Sequence, residues 1–260
     1  MKKSAVTSRK PRISIQLYTL REEAEKDFFG VLKELASIGY AGVETAGLHG
    51  KKPAEVRRVL DDLGLATSSA HVSLPTAGNV QEIVETAHAL GYTMVISGIG
   101  PEQFKAPGGV EAAAETLRKA AALVKPHGLR LGYHNHWWEF DRAEGRLKFD
   151  LLMEQAPDVF SELDIYWAAN FGAENVPEVV TRHRNRLPLL HIKDGMLVQG
   201  LVQHTAVGAG KMDVAACIRA AAPKVLDWLV VELDACATDM MTAVRESFGW
   251  PTEHGLAARK

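Results

Sequence analysis

The feature that most restricts what this chain can become is a recurring unit: an amphipathic helical stretch, a glycine, then a short apolar run ending in polar or ionisable residues. Phe28 to Ile38 leads to Gly39 and Ala41-Gly42-Val43-Glu44, and Ala54 to Leu63 leads to Gly64 and a run ending in His71. Val80 to Leu90 leads to Gly91 and Met94 to Ser97, and Val110 to His127 leads to Gly128 and Leu129 to His136. Glycine just past a helix suits the left-handed position, where a Cβ is costly. The glycine marker then fades, but apolar runs at Phe160 to Leu163, Pro188 to Ile192 and Trp228 to Leu233 continue the alternation, and Ile13 to Leu17 supplies its first strand. Strands alternating with helices imply parallel strands joined by right-handed crossovers.

At 260 residues the chain is near the usual size of one closed barrel of this kind, about 250. The expected fold is therefore α/β: a single (β/α)8 TIM barrel over residues 13–260, preceded by a disordered basic tail over 1–12. The rival is a doubly wound open sheet. No glycine-rich phosphate fingerprint follows the first strand, which counts against its dinucleotide-binding version.

A formal charge of −2 with both signs spread along the chain gives no electrostatic reason to expect nucleic acid or an anionic membrane as partner. No apolar run approaches bilayer length, so a small-molecule substrate fits better. The basic opening Met1 to Arg12 is not followed by a signal-peptide core, because Ile13, Ile15 and Leu17 alternate like a strand. Cys217 and Cys236 stand in no metal or redox spacing, so a reducing, cytoplasmic setting is expected.

In a barrel of this type the active site lies where the strands end. Those ends carry Gln16 and Tyr18, Glu44, His71, Ser97, His134 with His136 and Glu139, Asp164, His191 with Lys193 and Asp194, and Glu232 with Asp234. Oxygen and imidazole donors of this kind suit Mn2+, Co2+, Mg2+ or Zn2+. Taken singly, Glu44 or Asp234 reads as a cap or ion-pair partner, and His71 as a satisfied histidine under a loop. His183, His204 and His254 read as ordinary helix or loop surface. Trp167 is either core or a face on which a sugar stacks.

Five runs resemble the sugar phosphate isomerase/epimerase family of xylose isomerase-like barrels: Ile15 to Arg21, Gly132 to Phe140 (Gly-Tyr-His-Asn-His-Trp-Trp-Glu-Phe), Glu162 to Trp167, Leu190 to Asp194 and Val230 to Asp234. The resemblance implies one divalent ion, Mn2+ first, held by Glu139, Asp164, His191 and Glu232, with His134 or His136 as alternatives to Glu139. It implies Glu139 and Glu232 as the proton-transferring pair, and Gln16, Glu44, His71, His134, His136, Trp167 and Lys193 around the substrate. Asp213, after the glycine-rich run Val207 to Gly210, reads as a helix N-cap.

The implied reaction is proton abstraction beside a carbonyl, giving an enediolate that an isomerase or epimerase reprotonates. A lyase acting on a keto-sugar, inosose or 3-keto-glycoside is the alternative. A metal-dependent endonuclease would want more histidines and a basic rim. A sugar-binding subunit without turnover is the remaining class, and either a homo-oligomer or a larger assembly is compatible with the chain.

Overall fold

Residues two apart on a strand share a face, so a closed sheet divides each strand between the barrel interior and the helices outside. In the structure, a computed structural model that describes residues 9–258, eight parallel strands close in this way. They are β1 (Arg12–Gln16), β2 (Gly42–Thr45), β3 (Ala66–His71), β4 (Met94–Ser97), β5 (Arg130–His134), β6 (Phe160–Asp164), β7 (Leu189–Ile192) and β8 (Trp228–Val231). Closure comes from β1 pairing with β8 in the register Ile13↔Leu229 and Ser14↔Val230, and it excludes the open-sheet rival.

The principal helices outside are α1 (Arg21–Ile38), α2 (Pro53–Leu63), α3 (Val80–Leu90), α4 (Gly109–Val124), α5 (Lys148–Gln155), α6 (Val176–His183), α7 (Val214–Ala220) and α8 (Met240–Glu253). Gly39, Gly64, Gly91 and Gly128 all stand at positive φ, as their places after helices required. The first helix starts earlier than its apolar period because Asp27 interrupts it at φ −149° and ψ 81°. The Asp27 carboxylate accepts from the Gly30 amide at 2.9 Å, so Phe28 begins a freshly capped helix. Among the described residues no helix is long and apolar enough to cross a membrane.

Arg12, assigned to the tail from sequence, opens β1. Its amide donates to the Asp227 carbonyl at 2.9 Å, and its guanidinium lies 3.7 Å over the Trp228 ring. The tail expectation for residues 1–8 lies outside the described residues.

Inside the barrel, Met94, Ile96, Phe160, Leu189, Trp228 and Val230 form a separate apolar cluster, which closes the interior from below. Phe160 reaches across to β5, where a Cβ on Gly132 would lie 2.4 Å from its ring. Burying a side chain such as Phe160 contributes roughly 1.5–3 kcal/mol. Polar residues occupy the layers above this floor.

After β7 the chain makes a small antiparallel hairpin, Asp194–Gly195 with His204–Thr205. One Asp194 oxygen accepts from the amides of Gly195 and Met212 at 2.8 and 3.0 Å. The other accepts from Gly208 and Gly210 at 2.9 and 3.1 Å. A single carboxylate thereby fixes the long glycine-rich loop against the barrel. Asp213 caps α7 by accepting from the Ala216 amide at 2.9 Å, as expected.

Candidate metal centre at the barrel mouth

Period two decides which side chains meet at the mouth. Phe160, Glu162 and Asp164 follow one another up the inner face of β6; Leu189, His191 and Lys193 do so on β7, and Trp228, Val230 and Glu232 on β8. Register places His134 beside Glu162 and Asp164 beside His191. The result is two polar layers over the apolar floor, linked by two imidazoles.

In the lower layer, His191 Nε2 lies 2.9 Å from Glu44 and 3.1 Å from Glu162. His71 Nε2 lies 3.2 and 2.7 Å from the same two carboxylates, and His134 Nδ1 is 3.1 Å from Glu162. Gln16 donates to Glu44 at 2.6 Å, and the Ser69 hydroxyl donates to the other oxygen of Glu44. Burial opposes charge on Glu44, yet His71 and His191 hold its carboxyl well below the ordinary range. Burial likewise disfavours a charged His71, but Glu44 and Glu162 outweigh it and raise that imidazole to about 10. Gln16 and Glu44, expected beside the substrate, are fully buried and hydrogen-bond to each other within this layer.

The upper layer takes the opposite nitrogens of the same rings. His191 Nδ1 is 3.1 Å from Glu232, and His134 Nε2 is 3.9 Å from Asp164 Oδ2. His134, Asp164, His191 and Glu232 each offer a ligand atom within 4.8 Å of the others, and all four are buried. Burial drives His134 well below the ordinary imidazole range, so it is neutral and presents a lone pair. Asp164 Oδ2 is buried without a hydrogen bond, although Lys193 Nζ lies 3.0 Å away. Two imidazoles and two carboxylates suit a divalent cation. Carboxylates behind a ligating histidine fix which of its nitrogens faces the metal, and Glu44 and Glu162 stand in that relation to His191 and His134. A second group of suitable donors, His71, His134, Glu162 and His191, lies in the lower layer; there each imidazole already faces a carboxylate.

Lys193 is 1% exposed, and its ammonium reaches Asp164, Glu232 and Asp234 at 3.0, 2.8 and 2.8 Å. Burial works against this charge, but the three carboxylates keep it firmly protonated. The ammonium also sits 5.3 Å from the centre of the Trp167 ring. His136 stacks on Trp138 at 4.2 Å, and burial lowers it to about 4.

Glu139 is the one expected ligand that the structure does not bring to these donors. A short 3-10 turn, Trp138–Phe140, directs its buried carboxylate back beneath β5. There it accepts from the Tyr133 hydroxyl at 2.5 Å and the His136 amide at 2.9 Å, and burial raises it to about 8. His134, two positions up the strand from Gly132, stands in its place. Because the folded value is raised, Glu139 is expected to make wild-type stability fall as pH climbs from about 4.5 to about 8. Glu139→Gln is expected to remove that slope in thermal melts and to leave metal content, read by elemental analysis, unchanged.

Glu162 was not singled out by sequence, although its position two residues before Asp164 on one strand carried the signal. His204, read as surface, is fully buried. Its Nδ1 accepts from the Asp234 amide at 3.0 Å, and its ring packs against Tyr166 and Trp167 at 4.6 and 5.5 Å. Of the other two histidines read as ordinary, His183 pairs with Asp150 at 2.6 Å and His254 stays exposed.

A closed (β/α)8 barrel with a cluster of candidate metal ligands at the carboxyl ends of its strands defines the class. Over residues 32–253 the chain matches the xylose isomerase-like TIM barrel family, and it belongs to that family. A sugar phosphate isomerase/epimerase from Parabacteroides distasonis superposes with a TM-score of 0.75 at 23% identity, over 98% of each chain. The probable 3-DHS dehydratase of Bacillus anthracis gives 0.74 at 12% identity, over 93% of this chain and 98% of its own. The IolI protein, solved with a bound zinc atom, gives 0.71 at 13%, over 94% and 98%. At these identities the likenesses show the fold. No curated protein sequence matches the chain.

Proposed function

We propose that this chain is a divalent-metal-dependent sugar isomerase or epimerase that takes a proton from the carbon beside a carbonyl and returns it. The observation that carries the reading is the buried set His134, Asp164, His191 and Glu232 at the open end of the barrel, with a charged lysine beside it. These four residues would hold the ion, with Mn2+ the first choice. A bound divalent cation would act as a Lewis acid on the carbonyl and its neighbouring hydroxyl.

The chain's own groups supply the rest. Glu232 is kept ionised by Lys193 and His191 in spite of its burial, so its carboxylate is available to accept a proton. Lys193 places a fixed positive charge where negative charge develops on a substrate oxygen. His71 is about a quarter exposed and protonated; it stands on β3, away from Glu232 on β8, and can deliver a proton to the other face. His136 borders the same space with a neutral imidazole, and the buried Trp167 backs Lys193.

A lyase is the second reading. It is favoured by the dehydratase among the structural neighbours and by a protonated His71 able to assist a leaving hydroxyl. Proton exchange in D2O across ketoses, inososes and 3-keto-glycosides separates the two. Deuterium gained without loss of substrate carbon or oxygen supports the isomerase or epimerase, and an unsaturated product supports the lyase. No exchange with any of them, by metal-loaded protein, sinks both.

A further inference from the structure

The large apolar side chains exposed among the described residues are Tyr18, Trp137, Val198, Leu201 and Val202. All five lie on loops or short 3-10 turns that follow strand ends, so the apolar surface gathers on the rim of the mouth. Trp137, 36% exposed, is flanked by Trp167 at 5.0 Å and Phe171 at 6.0 Å. Trp167 touches the Lys193 charge on its inner side, so the aromatic wall begins at the candidate metal centre and runs outward.

Two further observations say that this wall faces a ligand. Asn170 and Phe171 both hold left-handed backbone, at φ 45° and 55°, a conformation unfavourable for side chains as large as Phe. Strain of this sort persists where surrounding structure enforces it and collects at binding sites. The second is polar: His136 Nδ1 and His204 Nε2 are buried without hydrogen-bond partners. His204 packs on Trp167, and His136 lies beside Trp137 at 6.3 Å. Buried orphan nitrogens call for a partner, and for His136, beside the exposed Trp137, a sugar hydroxyl would provide it.

We propose that Trp137 and Phe171, backed by the buried Trp167, form a subsite for a second ring, so that the natural substrate is a glycoside-type molecule larger than a monosaccharide. The reacting sugar sits at the candidate metal centre, and its linked glycosyl or aryl unit lies on Trp137 and Phe171. This rests on the proposed function only in placing the reacting ring at the cation. Aromatic faces recognise the C–H face of a pyranose and the plane of an aryl group alike.

The test uses full-length, Mn2+-loaded protein and three probes, glucose, cellobiose and phenyl β-glucoside, followed by saturation-transfer NMR and intrinsic fluorescence. Two-ring probes are expected to bind roughly three- to tenfold tighter than glucose. Trp137→Ala should erase that advantage while glucose affinity and metal content stay unchanged. Phe171→Gly should do the same, and it removes backbone strain, so it is expected to fold at least as well. An advantage confined to phenyl β-glucoside identifies the outer unit as aryl; one shared with cellobiose identifies it as glycosyl.

Equal affinities in the wild type, or no binding by any probe, overturn the subsite. So does an advantage that survives both variants, which would put the second ring elsewhere, such as the cavity of about 470 Å3 beside His71 and Asn79. A change in oligomeric state on Trp137→Ala with ring preference intact makes the wall a contact between copies and ends the proposal. Protein that holds no metal yet keeps the two-ring preference refutes the metal-enzyme reading and leaves the subsite standing.

Discussion

If the four donors hold a divalent ion as proposed, Asp164→Asn is expected to fold like the wild type and to bind that ion at least about a hundredfold more weakly, since removing a ligand exceeds the 10- to 100-fold effect of outer-shell changes. The substitution preserves shape. Asp164 Oδ1 accepts from the Trp167 amide at 2.9 Å, and an asparagine oxygen can keep that bond. What changes is Oδ2, the buried atom without a hydrogen bond, which becomes an NH2 that neither coordinates a cation nor attracts Lys193. Metal titration by calorimetry and a thermal melt check the two halves separately. Wild-type metal affinity in a folded variant would remove Asp164 from the ligand set, and global unfolding would mean that its role is architectural.

The second large effect belongs to Lys193. In metal-free protein its ammonium is the counter-charge for Asp164, Glu232 and Asp234, and it is 1% exposed. Lys193→Met fills the space but leaves buried carboxylates uncompensated, a change that typically costs about 3–5 kcal/mol. At roughly 2–4 °C per kcal/mol for a large domain, the metal-free variant should melt roughly 6–20 °C below the wild type. A divalent ion held by Asp164 and Glu232 replaces much of the missing charge, so saturating Mn2+ should raise the variant's Tm by more than it raises the wild type's. Equal metal-induced shifts in the two proteins would show that the lysine and the ion site are not electrostatically coupled.

The closed barrel and the strands donating His134, Asp164, His191 and Glu232 were legible because each strand is a short apolar run with an ionisable end, a local signal. Glu139 misled because linear distance from a strand says nothing about the direction of a following 3-10 turn. Glu162 escaped notice because a carboxylate in mid-strand reads as an outward residue until closure shows that Phe160, Glu162 and Asp164 share the inner face. His204 was hidden for another reason: its burial depends on a hairpin whose two strands are only two residues long each, too short to leave a pattern. Sequence also treats strand ends as rim, yet Asp164 and His191 are both fully buried. His191→Ala would therefore strip a counter-charge from Glu44, Glu162 and Glu232 at once, which makes it a poorer probe of metal binding than Asp164→Asn.

The apolar cluster of Met94, Ile96, Phe160, Leu189, Trp228 and Val230 makes this barrel a blind vessel with one doorway. Whatever enters must leave by the way it came, so a spent molecule has to vacate before a fresh one is admitted. A long substrate has nowhere to thread through, and its tail must trail out across the threshold. Traffic is then governed by the loops around that opening, where length and composition can change without disturbing the sealed bottom.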